Sequence, residues 1–259
     1  NMEMTLNPRL VELYQICRNE AYVSLHPKKK NPIKADWSNQ PVSAEDALAA
    51  NQMLQHNIGI LNGTTSGLID IDLDCAEAVA LSDLFLPKAV ASFGHAGNER
   101  GHHLVAIKSS GKSRQFPMPD SSECLVELRS NGTQTMLPPS THPSGHKLQF
   151  SYINDSAPAV YYADLLVATQ RIAACSVIAR SWSEGSRHQL ALAFAGMMYK
   201  ADFDQDLAEN VVNTICDFTS DEELDDRLNA VATTYAQDAS NVSGYGIMVD
   251  ILGVNTARK

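Results

Sequence analysis

Polar and apolar residues alternate strictly over residues 68–74, where Asp70, Asp72 and Asp74 stand between large apolar side chains. Alternation over this length is typical of a β-strand with one face in the core. Side chains two residues apart share a strand face. The pattern therefore predicts that the apolar residues enter the core together and that the three carboxylates line the other face.

Similar patterns divide the rest of the chain into two parts. Residues 1–165 mix strand and helix signals, with a helix around residues 10–17 and another after Pro41, where Ser43 can cap the helix and Asp46 occupies the capping-box position. Strands are predicted at 58–61, 68–74, 103–107, 125–129 and 133–137. The last two are separated by Asn131-Gly132, a dipeptide that predicts a hairpin.

Residues 166–259 read as helices. The apolar spacing predicts helices at 165–179, 187–200 and 205–218, and a last one for which Ser220 is the cap and Glu223 completes the capping box. We therefore expect an α+β domain over residues 1–165, followed by an all-α helical bundle over residues 166–259.

Composition describes an ordinary globular protein. The chain has 259 residues, of which 44% are hydrophobic and 19% charged. No uninterrupted apolar run approaches the ~20 residues of a membrane span, so no membrane partner is expected. The five cysteines are scattered, with no C-x-x-C pair, which argues against a zinc site and a disulfide scaffold and favours the cytoplasm.

The three aspartates of the strand favour a metal site. Carboxylates at this spacing repel one another, and without a cation at least one of them should have a raised pKa. A solvated surface strand is the alternative, but hard divalent ions such as Mg²⁺ bind carboxylates together with water and substrate phosphates. The metal interpretation is therefore preferred.

Charge argues both for and against a nucleic-acid partner. The formal net charge of −10 is unfavourable for binding phosphates. A local basic patch is nevertheless present, since residues 28–30 are lysines and Lys34 follows, with Trp37 close behind. A solvated loop explains this patch slightly better than a template or phosphate contact when only the local sequence is considered.

Two further segments carry candidate chemistry. A Gly-rich turn leads into the adjacent His102 and His103, of which only one can share a face with the aspartates and donate to a triphosphate. Glu127 and Arg129 are two residues apart, which places a metal ligand beside a phosphate-binding cation or forms a plain ion pair. The loop after Pro138-Pro139 presents Ser140 and His142, although a structural turn explains that loop nearly as well.

Taken in order, these segments resemble the bifunctional primase-polymerase domain of the archaeo-eukaryotic primase superfamily, as found in phage and plasmid replication proteins. The acidic D-x-D motif of that family matches Asp72 and Asp74, its histidine matches His103, and its third acid matches Glu127, where Asp is usual. The resemblance covers about residues 10–155. In this match Asp70 is an additional acid.

The resemblance implies a template-directed nucleotidyltransferase with DNA primase and DNA polymerase activity on single-stranded DNA. It implies two divalent ions, Mg²⁺ or Mn²⁺, held by Asp72, Asp74 and Glu127, with Asp70 as a further candidate ligand. His103 is expected to contact the triphosphate of the incoming NTP or dNTP. Further candidate nucleotide-binding residues are Arg129, Lys34, Ser140 and His142.

The same resemblance implies an architecture and a setting. The expected catalytic fold is a modified RRM-like sheet with helices, with the carboxylates on an open sheet face. The helical module over residues 166–259 is similar to one that precedes a helicase domain in larger proteins, so a helicase is an expected partner. The expected setting is the cytoplasm of a bacterium or a phage-infected host.

Two other classes of function stay open. A metal-dependent nuclease or nicking initiator also uses clustered acids and histidines, although the tyrosine or H-x-H pair typical of such initiators is not found beside these motifs. A non-catalytic replication adaptor that binds DNA or a helicase is the second alternative. The adjacent like charges argue against it, because an adaptor has no need of them.

Overall fold

The computed structural model describes residues 7–252, and the chain forms two compact units. The first lies within Asn1–Asp74, Leu86–Gln115 and Val126–Thr169. The second lies within Cys75–Phe85, Phe116–Leu125 and Gln170–Lys259. The assignment of catalysis to residues 1–165 and of a separate helical module to residues 166–259 stays a prediction.

Helices and antiparallel strands both form within residues 7–252, which confirms the expected mixed α+β class with a helical C-terminal region. The helices are α1 (Pro8–Ile16), α2 (Ala44–Leu54), α3 (Ala76–Phe85), α4 (Tyr162–Arg180), α5 (Arg187–Lys200), α6 (Gln205–Thr219), α7 (Leu224–Tyr235) and α8 (Tyr245–Leu252). The strands are β1 (Tyr22–Leu25), β2 (Asn57–Leu61), β3 (Leu68–Leu73), β4 (Ala91–His95), β5 (Asn98–Ala106), β6 (Arg114–Pro117), β7 (Cys124–Arg129), β8 (Gln134–Leu137) and β9 (Gln149–Ile153).

The strands form two sheets. One has three strands in the order β1-β2-β8, and the other has six in the order β6-β7-β3-β5-β4-β9. The aspartate strand β3 therefore lies inside the larger sheet, where it pairs antiparallel with β5 on one side and β7 on the other. This position brings side chains from three strands onto one face around the aspartates.

Both faces of β3 are buried, and this differs from the sequence-based expectation. The predicted core residues Ile69, Ile71 and Leu73 are fully buried. Asp70 and Asp72 are also buried, with 0% and 7% of their surface exposed, so their carboxylates do not lie on an open sheet face. Strict alternation correctly separates the two faces, but it does not show what covers the polar one.

The predicted hairpin between residues 125–129 and 133–137 is wrong. The turn itself forms, and Gly132 adopts the positive φ of +82° that glycine favours. The two strands then join different sheets, because β7 pairs with β3 whereas β8 pairs with β2. An Asn-Gly pair specifies a local reversal of the chain, and the pairing of the flanking strands depends on distant partners.

The second unit has a helical core. Helices α5 and α6 begin where the sequence predicts, but the predicted cap of the following helix is wrong. Ser220 ends α6 in the left-handed conformation, with φ of +53°, and α7 begins only at Leu224. The buried Asp221 carboxylate instead accepts hydrogen bonds from Trp182 Nε1 at 2.8 Å and Arg227 Nε at 2.9 Å.

Helix α4 is the one helix in residues 7–252 that is long and apolar enough to cross a membrane by length and composition. Of its apolar window, 56% is buried within the structure.

Candidate active site

Strands β3 and β5 bring two carboxylates and an imidazole together. Asp72 pairs directly with His102 in the sheet register, so their side chains share a face. His102 Nδ1 lies 3.0 Å from Asp70 Oδ2 and 3.5 Å from Asp72 Oδ1. One potential ligand atom from each residue lies within 4.8 Å of the others, and this is the one such group in the part of the chain that the structure describes.

The two carboxylates differ in their electrostatic environment. Burial alone would raise the pKa of Asp70, but the positive charge of His102 and hydrogen bonds from His102 and Thr135 outweigh it, so the pKa is lowered. Burial raises the pKa of Asp72, and the nearby charge of Asp70 adds to that increase despite His102 and Arg129. The pair thus combines a firmly ionised carboxylate with one that is harder to ionise.

His102 is held between the acids and an aromatic ring. Burial would lower its pKa, but the charges of Asp70 and Asp72 and the hydrogen bond to Asp70 raise the pKa to about 9. Its imidazole stacks on the buried Phe93 ring, with 4.9 Å between centroids. Stacking and hydrogen bonding together fix the orientation of the imidazole.

Strand β7 adds an acid and a cation to the same face. Glu127 pairs with Asp72 in the register, and Arg129 pairs with Asp70, so the two share a face as predicted. Arg129 Nη1 lies 3.4 Å from Asp72 Oδ2, and Arg129 Nε lies 4.0 Å from Glu127 Oε2. Three carboxylates therefore face two cationic side chains, which leaves an excess of negative charge when all five are ionised.

A residue of the smaller sheet forms a hydrogen bond with one of the acids. Thr135 in β8 donates a hydrogen bond of 2.7 Å to Asp70 Oδ2, and its own hydroxyl oxygen accepts one of 3.0 Å from Asn62. Asp70 Oδ1 is buried and has no hydrogen-bond partner among residues 7–252. A buried carboxylate oxygen of this kind is normally satisfied. An oxygen-rich cluster with an unused acceptor fits a hard divalent cation.

The predicted catalytic residues do not all come together. Asp72 and Glu127 lie on the face just described, with Asp70. Asp74 follows the end of β3 and is exposed. His103 pairs with Ile71, so it lies on the opposite face of the sheet, and only 2% of it is exposed. The register therefore makes His102 the histidine that shares the aspartate face, and a nucleotide-binding role for His103 stays a prediction.

The predicted nucleotide-binding residues fall in three different settings. Ser140 is buried, and its hydroxyl accepts a hydrogen bond from Ile58 N at 2.8 Å and donates one to Ile58 O at 3.2 Å, which ties the loop to β2. Lys34 is exposed on the loop after β1. His142 lies on the wall of a pocket beside the acids. The nucleotide contacts assigned to Ser140 and Lys34 stay predictions.

The pocket beside the acids combines cationic, polar and apolar side chains. Its lining residues are Lys30, His102, Arg129, Gln134, Met136, His142 and Leu148. Sequence reasoning missed Gln134 and Thr135 as site residues, and it included Lys30 in a basic patch for which a solvated loop was slightly favoured over a phosphate contact. The lysine run at residues 28–30 was a usable signal for Lys30, whereas Gln134 and Thr135 carry no motif and depend on β8 lying over the larger sheet.

Comparison with known proteins adds one finding. The sequence profile of Prim-Pol, described as bifunctional DNA primase/polymerase, N-terminal, matches residues 13–160, more than half of the 259 residues. The matched region contains the acids, His102 and every residue that lines the pocket. A search of curated proteins finds no match.

Proposed function

Because the chain belongs to the Prim-Pol family of bifunctional DNA primase/polymerase N-terminal domains, we propose that it synthesises and extends primers on single-stranded DNA from NTPs or dNTPs. The observation that carries this proposal is the buried cluster of Asp70, Asp72 and His102 beside a pocket with cationic walls. Phosphoryl transfer needs both features, since acids hold divalent ions and cations neutralise the triphosphate.

The acids have distinct parts in this proposal. Asp70 and Asp72 are the residues that would hold a divalent cation, together with His102 once a bound cation displaces the proton that its imidazole shares with Asp70. Glu127 is the neighbouring carboxylate on the same face. Burial and convergence support Asp70 and Asp72 as the ligand pair; the alternative pair, Asp72 and Asp74, rests on the sequence motif. When bound, Mg²⁺ or Mn²⁺ lowers the pKa of the attacking 3′-hydroxyl and stabilises charge at the α-phosphate.

Arg129 and His142 orient the nucleotide. Arg129 presents a planar guanidinium that can bind two phosphate oxygens at once. His142, on the pocket wall, can donate a hydrogen bond to a third. Such fixed donors act without reorganisation during the reaction, which is a large source of rate enhancement.

We also propose that this activity serves phage or plasmid replication alongside a helicase.

The test is synthesis on a single-stranded template with labelled nucleotides and Mg²⁺ or Mn²⁺, run with and without a supplied primer. We expect product with the wild type, none after chelation by EDTA, and none with Asp72→Asn. The matched control is Asp206→Asn, which changes an exposed acid in α6 and should leave synthesis intact.

Two results would contradict the proposal. Shortened template in place of extended product would indicate a metal-dependent nuclease. Binding of single-stranded DNA without any nucleotide incorporation, with either metal and with or without primer, would indicate an adaptor.

A further inference from the structure

The pocket wall contains one lysine of the basic patch at residues 28–30. Lys30, in the loop after β1, lines the same pocket as Arg129 and His142. We propose that Lys30 binds a phosphate of the incoming nucleotide and that Gln134 positions it. This inference rests on the proposed function for the identity of its ligand, a nucleoside triphosphate.

Gln134 connects two of the pocket's cations. Its side-chain Nε2 donates a hydrogen bond of 2.8 Å to the backbone carbonyl of Lys30. Its own backbone carbonyl accepts one of 2.8 Å from Arg129 Nη2. One residue of β8 thus holds both the backbone of the loop that carries Lys30 and the guanidinium of Arg129.

The side chain of Gln134 is buried in the orientation that bonds Lys30. Only 8% of the residue is exposed, and its Oε1 has no hydrogen-bond partner among residues 7–252. A buried amide that leaves its oxygen unsatisfied is unfavourable by itself. The amide keeps its nitrogen bonded to the backbone carbonyl of Lys30. A ligand or water in the pocket that Gln134 lines would supply the donor that Oε1 lacks.

A glycine in β2 makes room for this amide. A Cβ atom on Gly59 would lie 2.5 Å from Gln134 Oε1, closer than non-bonded atoms approach. A side chain at position 59 would require the Oε1 end of Gln134 to move, so Gly59 leaves room for the observed orientation of the amide.

Charge distribution fits a nucleotide bound with its metal. Lys30, Arg129 and His142 lie on the pocket wall, and the carboxylates of Asp70 and Asp72 lie beside it. Burial lowers the pKa of His142, and the positive charge of Lys30 lowers it further. Phosphates would face the cations while the acids face the metal.

The test is single-nucleotide incorporation on a primed template, with KM and kcat measured separately, together with equilibrium binding of a non-hydrolysable nucleoside triphosphate analogue. Lys30→Ala should raise KM and the dissociation constant roughly tenfold, equivalent to about 1.4 kcal/mol, with a smaller change in kcat. Lys30→Arg should recover most of the loss, because it keeps the charge. Gln134→Ala should raise KM in the same direction.

The matched control is Lys29→Ala, which removes the neighbouring exposed lysine and should leave KM unchanged. The inference is overturned if Lys30→Ala behaves like Lys29→Ala while the wild type extends primers normally. If the wild type incorporates nothing but binds the analogue, and Lys30→Ala weakens that binding, the proposed function fails and the inference stands.

Discussion

At the scale of single residues, two adjacent histidines in β5 have different environments because a strand alternates its faces. His102 contacts the acids, whereas His103 lies on the opposite, buried face. We predict that His102→Ala weakens Mn²⁺ binding by about tenfold or more, since it removes a candidate ligand. Electron paramagnetic resonance of free Mn²⁺ measures this directly.

The neighbouring variant serves as the comparison. His103→Ala should retain Mn²⁺ binding but lower the free energy of unfolding by about 1–3 kcal/mol, because it leaves a cavity in a packed interior. Equal loss of Mn²⁺ binding in both variants would show that the sheet register does not decide which histidine serves the site.

Sequence reasoning reached part of this site. It placed Asp72 on one face of its strand with the other aspartates, and it placed Glu127 and Arg129 on one face of theirs. A period of two residues is sufficient for both predictions. The local pattern did not separate His102 from His103, since the choice depends on how β5 pairs with β3, and the family match favoured His103. That match also used Asp72 and Asp74 for the D-x-D motif and left Asp70 as an additional acid, because an alternation that continues through residue 74 does not show that β3 ends before Asp74.

At the scale of elements, the loop that links β8 to β9 is fastened by Ser140. Its hydroxyl bonds both backbone groups of Ile58 in β2, and Ile58 is fully buried. We predict that Ser140→Ala lowers the free energy of unfolding by about 1–3 kcal/mol, because a buried N–H loses its partner. Urea denaturation measures this loss.

The same variant tests the nucleotide contact that the sequence assigned to Ser140. If the hydroxyl only fastens the loop, KM for nucleotide at a temperature where the protein is folded should stay within about twofold of the wild type. A large increase in KM with unchanged stability would show instead that Ser140 contacts the substrate.

Elements with a continuous local signal were predicted well, and those defined by distant contacts were not. Ser43 does cap α2, with Asp46 N donating to its Oγ at 3.1 Å. The β7–β8 hairpin was wrong, because those strands pair with β3 and β2. Ser220 was wrong as a helix cap for a similar reason, since the Asp221 side chain beside it is fixed by Trp182 and Arg227 and α7 starts later.

At the scale of the whole molecule, the stability of the chain depends on pH through Asp221. Burial raises the pKa of its carboxyl, but hydrogen bonds from Arg227 and Trp182 outweigh burial and lower the pKa below its ordinary value. A carboxyl with a depressed pKa stabilises the fold above its unfolded-state pKa, near 3.9, and this contribution is lost as the pH falls through the folded-state value.

We therefore predict that the free energy of unfolding falls as the pH is lowered from about 5 to 3, and that Asp221→Asn makes this dependence shallower. Asp221→Asn should also lower stability at pH 7, since it removes the charge that Arg227 faces. Chemical denaturation at several pH values is the measurement, with Asp206→Asn as control. An unchanged pH dependence in Asp221→Asn would contradict the prediction.

The family resemblance predicted more of the whole molecule than the local patterns did. Motifs that are weak one by one pointed, in their order, to the family whose profile matches residues 13–160. The segments Cys75–Phe85 and Phe116–Leu125, which belong to the second unit, carry no signal that separates them from their neighbours. Unit membership is decided by long-range packing, which composition and periodicity do not record.

The central claim is that the buried cluster of Asp70, Asp72 and His102 holds the metal for nucleotidyl transfer. The most direct test compares Mn²⁺-dependent single-nucleotide incorporation by Asp70→Asn and Asp74→Asn. We predict that Asp70→Asn slows incorporation by about a hundredfold or more, while Asp74→Asn, which alters an exposed acid beyond the strand, stays within a few-fold of the wild type. Loss of activity in Asp74→Asn with activity retained in Asp70→Asn would contradict this claim.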